Sequence, residues 1–405
     1  MQITNLNKIL YLIGSLSIFV SLYFNIDSAG SAGFITDFRT TWPLVEKPFD
    51  FHTDLDIKFP LHYYIASLIY LLVGDKELLR VTYCIVSLFV PFLFFICLKK
   101  KFNNINDNSL FLFSLILFLF PSFRSAAIWP NTQITGIIFF LISIYFFLEW
   151  EAKKKFNNFS KELFLLIFFI SLTVYTRQLY AMIFFYFVVI FFLKLNIKTF
   201  LQSCALITLF ALPGLIFVLF WPKILTVTFA FKIYNSLLVN SSIISFYLIP
   251  FFSIIYFFER RSITFEKKDI IFFLFFSLLV YFCSTYFDYN HLMGGGFFIK
   301  LSYLFFGSLL LFFATALIGF CSLYYLCKKS YLNSFLIIII LFAFSAYVVF
   351  MKYFEPMFIF LLFFFIKTKF TSLFLQNRKY IYLYHSYFLI YLCSAVTNHF
   401  LLLTK

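Results

Sequence analysis

Residues 59–101 read FPLHYYIASLIYLLVGDKELLRVTYCIVSLFVPFLFFICLKKK, and the number of times this stretch crosses a membrane sets the direction of every helix after it. Its second half, 80–98, is apolar for the length a bilayer demands of a helix and ends on Lys99, Lys100 and Lys101. The apolar part of its first half, 59–73, has only about 15 residues, short for a crossing. Further basic clusters stand at Lys153–Lys155, Lys194 with Lys198, Arg260 and Arg261 with Lys267 and Lys268, Lys328 and Lys329, and Lys367 with Lys369. Basic residues gather in cytoplasmic loops. Spans at 8–24, 80–98, 109–123, 133–149, 162–176, 178–193, 199–221, 241–258, 270–287, 300–326, 332–350 and 354–366 put every cluster on one side, provided that 59–73 does not cross. If it crossed, Lys99–Lys101 and each later cluster would change sides. The sequence therefore predicts an all-α, polytopic transmembrane bundle of about 12–13 spans in one domain over 1–405, with 59–73 an interfacial or re-entrant helix. The segment 380–398 is either a last span or an interfacial helix; Arg378, Lys379 and His385 leave both open.

Composition agrees. Of 405 residues, 63% are hydrophobic, 25% aromatic and only 12% charged, more apolar surface than a soluble fold of this length can bury. The net charge of +15 would suggest nucleic acid in a soluble protein, but here the cations sit in short clusters between spans, so no nucleic-acid partner is expected. Seven cysteines lie in or beside apolar runs with no CxxC pair, the pattern of small core residues rather than of a disulfide framework or metal site. Lys8 before the run 9–24 resembles a signal peptide, and Ser28-Ala29-Gly30 is a weak cleavage candidate; with spans downstream, an uncleaved first span is expected. No GxxxxGK[ST], HExxH, GxSxG or GxGxxG is present, and no repeated halves with interrupted helices.

The chain's longest polar interval follows the first span. Residues 25–58 hold six of its seventeen acidic residues: Asp27, Asp37, Glu46, Asp50, Asp54 and Asp56. Carboxylates gathered after a membrane span face water and a substrate, so 25–79 is read as a first outer loop carrying catalysis and interfacial helices. Asp37 is placed to act as a general base; the alternative is an N-cap for a short helix starting near Phe38. Arg39 and Trp42 stand close by, the tryptophan offering an apolar plane for a sugar or lipid. Asp54 and Asp56 form either an acid or metal-binding pair or a solvated turn. His62 is more simply a hydrogen-bonding residue at the membrane edge than a catalyst. Arg124, Arg177, Lys300 and Lys352 are cations at outer span ends, fit to hold a phosphate or to snorkel to the interface. Gln178 flanks Arg177. Gly294-Gly295-Gly296 allows close backbone approach to a ligand or forms a flexible outer loop.

Four short stretches resemble the GT-C superfamily of integral-membrane glycosyltransferases, which includes protein O-mannosyltransferases, lipid A aminoarabinose transferases and the enzymes that use dolichyl-phosphate-glucose. They are the first-loop acid Asp37; Phe59-Pro60-Leu61-His62-Tyr63 with the turn Gly74–Arg80, similar to a (K/F)PPL-Y pattern followed by a G-x₄₋₅-R turn; Arg124-Ser125-Ala126; and Lys352-Tyr353-Phe354-Glu355-Pro356, similar to a late (R/K)-Y-x-x-P. The resemblance implies inverting transfer of one sugar from a polyprenyl-phosphate donor to a cell-envelope glycan, lipid or protein. Asp37 would be the base and Arg124, Arg177, Lys300 and Lys352 the phosphate ligands, with Arg39, Trp42, Asp54, Asp56, His62, Gln178 and Tyr353 at the substrates. It also implies a multi-pass enzyme of the cytoplasmic membrane with its site facing outward. No cofactor is expected, and no metal is indicated. The chain departs from the pattern twice: Asp37 is followed by Phe38 rather than completing an acidic pair, and Ile128–Gln133 lacks the second acid that many relatives keep there. The alternatives are a polysaccharide polymerase or ligase, whose large outer loop usually falls late in the chain, and a flippase-type transporter, which would carry charges at mid-span.

Overall fold

The computed structural model describes residues 3–28, 34–48, 59–153, 156, 158–220, 232–260, 266–290, 294–328, 330–343 and 348–403, and all regular structure among them is helical. The chain divides into two compact units, Met1–Val227 with Leu389–Lys405, and Thr228–Phe388.

The first unit contains α1 (Asn5–Tyr23), α2 (Phe34–Glu46), α3 (Leu61–Val73), α4 (Lys76–Leu88), α5 (Val90–Lys101), α6 (Asp107–Ser114), α7 (Pro121–Ile128), α8 (Thr132–Lys153), α9 (Lys161–Thr176), α10 (Ala181–Lys194) and α11 (Ile197–Phe220). One of its ends is marked by ion pairs between neighbouring helix termini. Lys99 meets Asp107 at 2.6 Å, Lys100 meets Glu149 at 2.6 Å, Lys153 meets Glu162 at 2.7 Å and Lys194 meets Glu151 at 2.7 Å. The basic clusters at this end are thus tied to carboxylates on adjoining helices. The start of α1 belongs to the same end, where the Thr4 N–H donates to Asn108 Oδ1 at 2.7 Å. From there α1 runs away from the lysines, α4–α5 returns, α6–α7 leaves, α8 returns, α9 leaves and α10 returns. Helix α8, with 22 residues, is about 33 Å long, close to the hydrocarbon thickness of about 30 Å.

Helix α3 does not join this alternation. At its start His62 bonds Thr135 in the first turn of α8. Just beyond its end, Lys76 lies over the Phe38 and Trp42 rings and Arg80 Nε donates to Ile128 O, all at the end opposite the lysines. Its 13 residues extend only about 20 Å. Helix α2 lies at the same end and buries Phe34, Phe38, Thr41 and Val45, one stripe at helical spacing.

The second unit contains α12 (Ile233–Phe258), α13 (Lys267–Thr285), α14 (Gly296–Phe306), α15 (Leu310–Cys327), α16 (Tyr331–Ala343), α17 (Met357–Phe364) and α18 (Lys369–Gln376); α19 (Arg378–Leu403) begins here and ends in the first unit. Its centre is α12, whose Ser241 and Ser242 bond Ala316 O and Thr315 Oγ1 of α15 at 2.8 and 2.9 Å. Small polar residues let apolar helices approach this closely. Every residue of α17, MFIFLLFF, is buried.

Among the described residues seven helices are long and apolar enough to cross a membrane, or nine if each bent pair forms one span. This is a polytopic helical bundle. Several of the other segments expected to cross are interrupted or short. The expected span 300–326 is split into α14 and α15 at Gly307, which takes a left-handed φ of 58°. The segment 109–123 turns by 70° before Pro121, where proline removes a helical donor, and α17 meets α18 at 104°. Helices α9, α10 and α16 have 16, 14 and 13 residues. Helix α19 is long but is not among those apolar enough to cross.

Proline also interrupts α11. Three residues before and one residue after Pro213, Phe210 O accepts from the Tyr175 hydroxyl and Gly214 N donates to it at 2.8 Å, so the phenol of α9 stands in the helical ladder. We expect Tyr175→Phe to cost about 1–2 kcal/mol, read as a lower melting temperature in detergent. Topology is checked by single-cysteine labelling in intact cells, on a background without the native cysteines. Thr40→Cys and Leu78→Cys should react from one side of the membrane and Asn158→Cys from the other; a crossing α3 would separate Thr40 from Leu78.

Candidate functional site

Helix α2 begins at Phe34, earlier than expected, because the buried carboxylate of Asp27 accepts from the Ile35 N–H at 2.9 Å and caps it. Asp37 therefore lies inside the first turn and is not the cap. Its half-buried side chain turns towards the residue before α8, where Asn131 Nδ2 donates to Oδ2 at 3.3 Å. Asn131 Oδ1 in turn accepts from the Thr132 hydroxyl at 3.0 Å, which sets the amide's orientation.

One turn further along α8, Thr135 Oγ1 lies 2.9 Å from His62 Nδ1, and the Tyr83 hydroxyl lies 3.4 Å from the same nitrogen. His62 is 1% exposed. It joins α3 to α8 and α4, the bonding role that its place near the membrane edge suggested. The next residue, Gly136, lets the end of α9 approach: a Cβ there would stand 3.1 Å from Thr176 Oγ1 and 3.8 Å from Arg177 Cδ. Arg177 is half-buried with extended backbone at the C-cap of α9, and Gln178 beside it is half-buried. The start of α8 thus meets Asp37 at Asn131, His62 at Thr135 and the end of α9 at Gly136. Neither Asn131 nor Thr135 was among the residues expected from sequence. Asn131 does fall in the stretch where GT-C relatives keep a second acid, the one signal that could have found it.

Aromatic groups wall this end. Trp42 meets Phe38 and Tyr70 at ring-centroid distances of 5.5 and 5.1 Å, with Lys76 Nζ 4.3 Å from its ring. The plane expected to meet a sugar or lipid therefore carries a lysine. Arg80, 3% exposed, stacks at 3.7 Å over Trp129, bonds Glu77 at 2.6 Å and reaches Asn25 Oδ1 at 2.7 Å. Arg39 is exposed on α2.

Arg124 takes a different position from the one its place at a span end suggested. It is buried at 5% exposure. Nη1 donates to Ser17 Oγ at 2.7 Å and Phe118 O at 3.2 Å, and Nη2 to Ser17 O and Ser21 Oγ, both at 2.7 Å. Its fork binds α7 to the serine face of α1 instead of facing a phosphate. Lys300, Lys352 and Tyr353 belong to the second unit. Lys300 is exposed on α14, one turn after the glycine triplet. Lys352 and Tyr353 share a short 3-10 turn, with Lys352 Nζ 5.2 Å from the Phe350 ring. The triplet is not a free loop: Gly295 N donates to Val349 O at 2.8 Å, and Val349 N donates to the Tyr289 hydroxyl at 3.0 Å. Burial pushes that phenol up to about 12. Asp54 and Asp56 lie outside the described residues. Among the described residues no group of His, Cys, Asp and Glu is arranged to hold a metal ion.

The chain matches no protein-family model, no curated protein and no solved structure. The GT-C resemblance rests on its four short stretches.

Arg124→Gln should destabilise the first unit by about 3 kcal/mol, since several hydrogen bonds from one charged group are lost in a buried site. Arg124→Lys should recover little of it, because an ammonium cannot span Ser17 and Ser21 as the planar fork does. Thermal unfolding in detergent checks both.

Proposed function

We propose that this chain is a membrane glycosyltransferase of the GT-C type. It moves a sugar from a polyprenyl-phosphate donor to a cell-envelope glycan, lipid or protein, in a cytoplasmic membrane with the α8 start facing outward. The supporting observation is Asp37: a half-buried carboxylate held by a neutral amide, at the end of the unit away from its paired lysines. In this reading Asn131 fixes the carboxylate's direction and Asp37 takes the proton of the acceptor hydroxyl. The freed oxygen attacks the anomeric carbon, the bond from that carbon to the phosphate oxygen breaks, and the electron pair leaves with the lipid phosphate. Arg177 is the cation of this unit that would neutralise the departing charge. Lys300 and Lys352 are given no part in this step, nor is Arg124, whose donors hold α1.

The transport reading has its own observation in the bent pairs, with turns of 70° and 104°, since broken helices line many transport sites. One experiment separates the two. Membranes carrying wild type or Asp37→Asn are given a panel of polyprenyl-phosphate sugars with envelope extract as acceptor source. Donor turnover should fall by about 10²–10⁴ in Asp37→Asn, with protein abundance unchanged. Asn131→Ala should fall by about 10, since it misdirects the base without removing it. Turnover unchanged in Asp37→Asn would remove this residue from the chemistry and leave Asp54 and Asp56 to be tried. No turnover by wild type, with donor moved across a proteoliposome bilayer, would establish transport instead.

A further inference from the structure

The second unit carries a groove that no step above uses. It runs along the last turns of α12 and α15 and is lined by Phe252, Tyr256 and Phe257 on one side and Cys321 and Tyr325 on the other, with a volume of about 370 Å³. Tyr256 and Phe257 are 45% and 67% exposed, and both helices are among those long and apolar enough to cross a membrane. The groove is therefore apolar and open towards the side.

Its rim is cationic. Lys328 Nζ lies 4.8 Å from the ring of Tyr325, itself a wall of the groove. Lys369 precedes Phe370, whose ring packs 5.7 Å from Tyr325 and 5.8 Å from Phe252. Lys379 Nζ lies 4.4 Å from Phe258, the residue after Phe257. Lys328 is paired with Asp269, so Lys369 and Lys379 carry the rim's charge. Glu259 accepts from the Tyr380 hydroxyl at 2.9 Å, Asp269 takes Lys328 and the Tyr324 hydroxyl, and Glu266 meets Lys268 at 2.8 Å. Lys369 and Lys379 are exposed, and neither has a carboxylate within ion-pair distance among the described residues.

The geometry points to a binding site for an anionic membrane phospholipid, with an acyl chain in the groove and its phosphate between Lys369 and Lys379. An apolar slot beside uncompensated cations at a helix end fits a molecule carrying both features, and basic pockets between transmembrane helices hold such head groups. A zwitterionic lipid would bring its own ammonium against the same two lysines, so the site discriminates by head-group charge. This assignment stands apart from the transfer chemistry of the first unit.

The test is thermal unfolding of the purified full chain in nonionic detergent, with phosphatidylglycerol or phosphatidylcholine added at equal mole fraction. Phosphatidylglycerol should raise the melting temperature of wild type by about 5 °C more than phosphatidylcholine does. The excess should vanish in Lys369→Glu/Lys379→Glu. It should also vanish in Ser322→Trp, which fills the groove and keeps both lysines. Lys198→Glu, an exposed cation of the first unit, should keep it. Equal shifts from the two lipids overturn the proposal, as does an excess that survives the double variant. Loss of the excess in Lys198→Glu would mean diffuse surface charge, and the same shift from inorganic phosphate alone would mean an anion site without a lipid; either overturns it too.

Discussion

A peptide group inside hydrocarbon has no water to bond, so every break in a membrane helix must be closed by the protein itself. This chain closes its breaks with side chains from the next helix or the next turn. Tyr175 stands between Phe210 O and Gly214 N of α11. Ser302 donates to Ser308 O at 2.6 Å and accepts from Phe312 N at 3.3 Å, bridging the gap at Gly307. Asn333 donates to Leu326 O at 2.8 Å and Lys367 O at 3.0 Å, and accepts from Lys367 N at 2.9 Å. Each of these polar residues joins two segments that apolar contact alone would leave free to slide. In a chain this rich in phenylalanine, dispersion is abundant and undirected; the scarce hydroxyls and amides decide which helix sits against which.

The same division explains what could be read without coordinates. The excursion of α3 was legible because charge is counted along the chain: Lys99–Lys101 fixes a side, and 59–73 is too short to change it. The breaks at Pro121 and Gly307 had visible agents, but their angles depend on neighbours. The start of α2 was misplaced because its cap, Asp27, lies eight residues upstream of the amide it satisfies, beyond the spacing of a local capping pattern. Arg124 looked like a phosphate ligand because its partners, Ser17 and Ser21, are more than a hundred residues away. Their spacing of four did mark a polar stripe on α1, the trace of a helix that receives a guanidinium. Asn131 was hidden for the opposite reason. An amide in a loop carries no charge and no pattern, and its meaning appears only when Asp37 is placed against it.

The pairing of charges bears on which acid can act. At the lysine end of the first unit each described carboxylate faces a cation, which fixes helix termini. At the other end the acids have been given separate tasks. Asp27 caps α2, Asp75 accepts from Leu78 N at 2.9 Å and caps α4, and Glu77 holds Arg80. Removing any of these would loosen a helix start or release a buried arginine. Glu46 stands exposed at the last residue of α2, where the helix dipole disfavours a negative charge and no described fold element confines it. Asp37 lies inside the first turn of α2, and its carboxylate accepts from the neutral amide of Asn131, which is itself fixed by Thr132. In the proposed reading, a carboxylate aimed by an amide that is itself fixed is the arrangement expected of a base, because orientation must be built in advance if it is to count at the moment of reaction.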